Sequence, residues 1–112
     1  CAANGAEYTF DYLRGYPSLV NDEALTQLGI AAATEMIGAD HLWHIPAPEM
    51  GGEDFAYFSQ AVPAMMFRLG VRNTAKGIVH PMHHPGFDLD EDALPLGAAA
   101  LARIAADFLT KP

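Results

Sequence analysis

Two apolar stretches of different period set the strongest limit on how this chain can fold. In residues 7–14, Tyr8, Phe10 and Tyr12 alternate with Glu7, Thr9 and Asp11, a pattern that predicts a one-sided antiparallel strand. Residues 62–69 read Val-Pro-Ala-Met-Met-Phe-Arg-Leu and are closed by Gly70. That near-continuous run predicts a strand buried on both faces of an α/β layer structure. Two strand types in 112 residues imply two different sheets. The first has no hairpin partner before or after it, so its neighbours have to come from other sequence or from a second chain. The chain also opens at Cys1 rather than at a methionine, which adds to the expectation of a piece of a longer protein.

Between the two stretches, Gly15, Pro17 and Ser18 are turn residues and Asn21 or Asp22 can cap a helix. A domain junction is expected here, dividing residues 1–20 from residues 21–112. Leu25, Leu28, Ala32 and Met36 recur at helical spacing, which predicts a helix over about residues 22–37 that Gly38 closes. A short strand is expected over residues 42–45, ended by Pro46-Ala47-Pro48. Residues 53–60 predict a short helix with Glu53 and Asp54 in its first turn, where the helix dipole favours negative charge. Leu94, Ala98, Leu101, Ala105 and Phe108 form the clearest amphipathic stripe, with Asp90, Glu91 and Asp92 expected as cap and first-turn acids.

Composition removes several function classes. With 51% hydrophobic and 18% charged residues, the chain fits one ordinary core rather than disorder. A formal charge of -8, with six Lys and Arg scattered singly, offers no basic face to a phosphate backbone or an anionic membrane. Nucleic-acid and membrane partners are therefore not expected. No apolar run is read as approaching the roughly 20 residues of a membrane span, and no basic-then-apolar leader is seen. The single cysteine, Cys1, cannot form an internal disulfide, which fits a reducing compartment and an expected cytoplasmic location.

Chemistry concentrates in two tracts, Met50-Gly51-Gly52-Glu53-Asp54-Phe55 and His80-Pro81-Met82-His83-His84-Pro85-Gly86-Phe87-Asp88. Imidazole is the commonest protein ligand for a divalent transition metal, and one ligand from such a Pro-interrupted loop is the metal reading. Ordinary exposed loop histidines are the alternative. Glu53 and Asp54 serve helix capping as readily as catalysis, and Asn21 is a cap first and a substrate contact second. Tyr8, Phe10 and Tyr12 suit a sheet core better than a binding platform. Trp43 and His44 are too isolated to assign. Neither tract supplies a closed set of metal ligands.

Ser18-Leu19-Val20-Asn21-Asp22, the Met50 to Phe55 tract, Val62-Pro63, Phe67-Arg68-Leu69-Gly70, and His83-His84-Pro85-Gly86-Phe87-Asp88 followed by Glu91-Asp92-Ala93-Leu94-Pro95 together resemble the M20 peptidase family. The likeness is greatest to its amidohydrolase branch of hippurate hydrolase, indole-acetyl-amino-acid hydrolase and N-acyl-amino-acid deacetylase type, and it runs in order along essentially the whole chain.

The resemblance implies an α/β fold: the C-terminal part of a three-layer αβα zinc-peptidase-like catalytic domain, preceded by the last strand of a ferredoxin-like lid domain. It implies a metal-dependent amidohydrolase acting on N-acyl amino acids or small peptides, with two divalent ions (Zn, Mn, Co or Ni) per complete subunit and a homodimer formed through the lid. His83 matches the family's C-terminal metal ligand, whereas His84 occupies a variable position. The remaining ligands and the glutamate general base belong to upstream segments that do not occur here, so no catalytic residue is expected in this chain and the chain alone is expected to be inert.

By the same comparison Gly51 and Gly52 would let backbone approach the substrate or metal site. Glu53 and Asp54 would wall it and help orient His83, and Asn21 would make a substrate or hinge contact. His83 must be neutral to ligate, so metal binding should weaken in acid. The competing expectation is a non-catalytic association module that pairs through residues 8–13.

Overall fold

Helices α1 (Glu23–Ile37), α2 (Ala56–Ala61) and α3 (Ala93–Thr110) are joined by long irregular segments in the computed structural model, which describes residues 1–110. Single 3-10 turns occupy Ala2–Asn4 and Ala39–His41.

The expected first helix forms with the expected ends. Asp22 is the cap: its carboxylate accepts from the Leu25 N–H at 2.9 Å, and its carbonyl accepts from the Thr26 N–H and hydroxyl. Gly38 ends the helix at φ 86°, donating its N–H to the Thr34 carbonyl, a conformation that a residue with a Cβ adopts only under strain.

Asn21 takes a different task from capping. Its side-chain amide donates to the Met66 carbonyl at 2.8 Å and accepts from the Met66 N–H at 3.0 Å, while the Asp22 N–H donates to the Ala64 carbonyl at 2.8 Å. Asn21 thus occupies both backbone groups of Met66 much as a neighbouring strand would.

Helix α3 packs on α1 through small residues. A Cβ on Gly29 of α1 would lie 2.6 Å from the Met65 Cε and 3.7 Å from the Ile104 Cδ1, and one on Gly97 of α3 would lie 2.8 Å from the Leu69 Cδ2. At both places side chains of the 65–69 segment reach the helix backbone, and a Cβ would displace their flexible ends. Arg103 of α3 bonds to Glu35 of α1 and to Asp107 one turn on, joining the helices at their far end.

The predicted α3 stripe is correspondingly not the buried one. Leu94, Leu101 and Phe108 are 50%, 63% and 61% exposed, while Gly97 and Asp107, one position round the helix, are buried. The broad leucine face instead opens onto a groove of about 510 Å³ that also touches Phe55, Met65, Phe67 and Leu69. A layer helix needs two faces, and here the narrow one is occupied.

Several expected elements differ. Among the described residues there is no strand, only an isolated antiparallel bridge between Asn73 and Ile78. Residues 7–14 and 42–45 run without ladder bonds, and residues 62–69 are anchored by Asn21 and Asp22 but have no strand beside them. A strand exists only through its partner's N–H and C=O groups, and these 112 residues do not supply that partner. Burial follows suit, with Tyr8 74% and Phe10 73% exposed and residues 64–66 only half-buried. The radius of gyration is 19.5 Å, against about 13 Å for a compact chain of this size.

The second helix begins later than predicted, at Ala56, and its first turn contains no acid. Glu53 and Asp54 form the turn before it. The three acids ahead of α3 likewise precede the helix rather than occupy its first turn. Length also corrects one expectation: among the described residues α3 is long and apolar enough to cross a membrane by length and composition, with 18 residues of mean hydropathy 1.4. Its seat on α1 and the Arg103 to Asp107 pair give it instead the setting of a layer helix.

Candidate metal-binding loop

Residues 71–90 form a loop that closes on itself. The Asp90 N–H donates to the Val71 carbonyl at 2.9 Å, which ties the two ends together. Just inside, Asn73 and Ile78 exchange both backbone bonds at 3.0 and 2.9 Å, and the Asn73 Oδ1 accepts from the Ala75 and Lys76 N–H groups. Gly77, at φ 75°, completes this small turn. The turn aims Val79 and His80 into the histidine tract.

The Asp90 carboxylate gathers the base of the loop. It accepts from the Asn73 Nδ2 at 2.6 Å, from the Lys76 Nζ at 2.5 Å and from the Asp92 N–H at 3.3 Å, and it is only 15% exposed. The Asn73 hydrogen bond first and the Lys76 bond second hold its pKa below the ordinary aspartate range. Lys76 also reaches the Asp92 carboxylate at 2.6 Å, and the two carboxylates hold its ammonium well above the usual lysine range.

Within this frame the three histidines separate. His80 and His84 stack with ring centroids 4.0 Å apart and planes within 5°. The His84 Nδ1 accepts from the Gly86 N–H at 3.0 Å, and a Cβ on Gly86 would sit 2.9 Å from the His80 Cδ2. His84 is thereby committed inside the loop through its Nδ1 and ring face, and His80 through its ring face. His83 differs: it is exposed at φ 68°, and among the described residues its imidazole has no hydrogen-bond partner. Left-handed backbone at a non-glycine residue costs free energy and is concentrated at functional positions. A shallow cleft of about 450 Å³, lined by Val71, Arg72, Val79, His80, Phe87 and Asp88, flanks the loop.

The Gly51 to Asp54 tract is built separately. Gly52 lies under the Tyr16 ring, where a Cβ would come within 3.1 Å of it, and Tyr16 meets Tyr57 of α2 edge-on at 6.0 Å. Gly51 borders open space. The Glu53 carboxylate turns back to accept from the Phe55 N–H at 3.1 Å, and Asp54 is exposed without a side-chain partner among the described residues. Two bonds of 2.8 and 2.6 Å join Arg68 to Glu49 and hold the Glu49 pKa below its usual range. Among the described residues no hydrogen bond or ion pair joins this tract to the histidine loop, and Asn21 lies at Met66, away from both.

A divalent metal fits these residues as one side of a site. His83 presents an imidazole with neither a hydrogen bond nor a stacked ring, but among the described residues no group of three His, Cys, Asp or Glu side chains stands close enough to hold an ion. Sequence reasoning missed Asn73, Lys76 and Asp90 as a cluster, although Asn73 with Gly77 is a legible turn signal. It also missed the Glu49 to Arg68 pair, for which Arg68, the one charge in its apolar stretch, was the available sign.

Comparison with known proteins identifies the family. The chain matches Peptidase family M20/M25/M40 over residues 4–107. It is 41% identical over 102 residues to a probable hydrolase of Synechocystis, covering 91% of this chain and 26% of that protein. An IAA-amino acid hydrolase of Arabidopsis thaliana is 38% identical over 94 residues, 84% of this chain and 20% of that protein. A putative amidohydrolase of Bacillus subtilis is 36% identical over 108 residues, 96% of this chain and 27% of its own length. The chain belongs to the M20/M25/M40 peptidase family, whose members have an α/β zinc-peptidase fold and are generally metal-dependent. It spans about a quarter of the length of the curated relatives it matches. No solved structure matches it.

Proposed function

We propose that this chain supplies the C-terminal part of a metal-dependent amidohydrolase that cleaves the amide bond of N-acyl amino acids or small peptides. The single observation that carries the reading is the presentation of His83, unengaged and in left-handed backbone, between two histidines committed to the loop itself. Family membership and the amidohydrolase and amino-acid-conjugate hydrolase names of its relatives support the reaction class. His83 would hold one of two divalent ions, drawn from zinc, manganese, cobalt or nickel, together with ligands outside this chain. Bound at such a site, divalent ions lower the pKa of water and polarise a scissile carbonyl.

The chain's own residues bind and orient. The loop fixes the His83 backbone, the Gly52 turn packs beneath Tyr16, and Glu53 and Asp54 edge the approach to α2. The general base would lie outside the chain, so the chain alone is inert. The complete enzyme would act in the cytoplasm as a homodimer, with residues 1–20 ending a lid domain and residues 21–112 completing the catalytic one.

A second reading, a non-catalytic association module, draws on the exposed Tyr8, Phe10 and Tyr12 face and the unpaired backbone of residues 7–14. Assay of an N-acyl amino acid with the chain alone, and with the chain joined to the upstream three-quarters of the Synechocystis relative, separates the two. Metal-dependent turnover by the joined protein, lost in His83→Ala, is the expected result. Turnover by the chain alone would sink the inert-chain statement, and a joined protein that folds and dimerises without turnover would favour the association module.

A further inference from the structure

We infer that Asp90, acting with Asn73 and Lys76, is the positioning residue of the histidine loop, fixing where His83 meets its metal. The inference rests on the metal role proposed for His83. Its ground is geometric. His83 stands near the middle of residues 71–90, and no side chain holds its imidazole; the Pro81–His84 turn and the His80–His84 stack shape its immediate backbone, and where that tract as a whole sits depends on the loop's two ends. Those ends meet at one residue. The Asp90 N–H closes the loop onto Val71, its carboxylate grips the Asn73 turn at 2.6 Å and Lys76 at 2.5 Å, and its carbonyl accepts from the Ala93 N–H at 3.0 Å at the start of α3.

Asp90 therefore couples three elements: the turn that launches the histidine tract, the strand-like segment before it, and the helix after it. Without the carboxylate the Asn73 amide and the Lys76 ammonium both lose their acceptor, and Lys76 keeps only the exposed Asp92. The loop would then sample a wider range of His83 positions. A ligand that must be held to within about half an ångström loses affinity under such slack. Asp90 touches neither metal nor substrate, so its effect should appear in metal binding before it appears in chemistry.

The test uses the complete enzyme, meaning this chain with the upstream segments of the Synechocystis relative. Cobalt(II) is titrated and followed by its visible absorption, with circular dichroism of the helices as the fold control. Asp90→Ala is expected to weaken cobalt binding by about tenfold and to alter the absorption bands, with the helical signal unchanged. Asp90→Asn, which keeps an acceptor for Asn73 but loses the charge for Lys76, is expected to fall between Asp90→Ala and the parent. Lys76→Met, which leaves the carboxylate in place, serves as the second variant should Asp90→Ala fail to fold, and is expected to weaken binding by a smaller factor.

Parent-like affinity and absorption in Asp90→Asn and Lys76→Met, alongside loss of the site in His83→Ala, would overturn the positioning role while leaving the metal reading intact. Parent-like cobalt binding in His83→Ala would overturn the metal reading, and the positioning role with it.

Discussion

The two tracts that carry the chemistry are built in opposite ways. The histidine loop is held by bonds among residues 71–93, so its shape comes from its own segment. The Gly51 to Asp54 turn is held from a distance, by the Tyr16 ring over Gly52 and by Arg68 on Glu49. A loop closed by its own polar groups can present a ligand in a fixed direction even where no strand flanks it. A turn held by remote side chains keeps its shape only as long as those remote segments stay in place. The difference is that between a loop that supports itself and a turn that depends on its neighbours.

Acid should break the comparison most sharply. Partners hold the Asp90 carboxylate below its ordinary range, so its contribution is present above the unfolded-chain value of about 3.9 and is lost as pH falls through the lower folded value. Amide exchange followed by NMR from pH 6 downward should show Asn73, Ile78 and Asp90 protected until that window and released within it. Release of these amides near neutrality would mean that Asp90 is not the clasp.

Matched glycine substitutions give a smaller and more local contrast. Gly86→Ala and Gly52→Ala each push a Cβ against an aromatic ring, at 2.9 and 3.1 Å respectively. In the self-closed loop the His80 ring is stacked and cannot easily yield, so Gly86→Ala should cost about 1 kcal/mol. Tyr16 lies on a segment with few ties, so Gly52→Ala should cost clearly less. Thermal or urea unfolding of both variants measures the order, and equal costs would remove the distinction between the tracts.

Least of all is expected from Glu49→Gln. The Glu49 to Arg68 pair is exposed on both sides, and exposed pairs are screened by salt. No measurable change in the unfolding midpoint at about 0.15 M salt is expected. A clear loss would show that the remote tie holds the turn more firmly than its exposure indicates.

Much of the local structure was legible because its causes are local. Asp22, the Leu25 to Met36 spacing and Gly38 bounded α1 within a residue, since caps and periodicity act within one turn of helix. The single weighty histidine was legible only by resemblance; the physical reason for its distinctness, the His80 to His84 stack, was not. Ring stacking depends on the path of the loop, which spacing does not encode. Asn21 looked like a cap because its residue type is a good one, but tertiary contact with Met66 claimed it first. The leucine stripe of α3 was legible as an amphipathic face, but the residues buried on the helix are Gly97 and Asp107 beside it. Periodicity locates an apolar face without naming what covers it.

By itself the sequence determined the existence of the helices, the Asp22 and Gly38 caps of α1, the turn residues and the residue types available for metal binding, because each depends on backbone sterics, capping and side-chain chemistry within a few residues. Tertiary structure decided which face of α3 lies against α1, that the 62–69 segment is gripped by Asn21 rather than flanked by strands, and that Asp90 gathers Asn73 and Lys76 at the base of the loop. Those outcomes depend on close approach between segments separated in the chain, as where Met65 meets Gly29 and Leu69 meets Gly97.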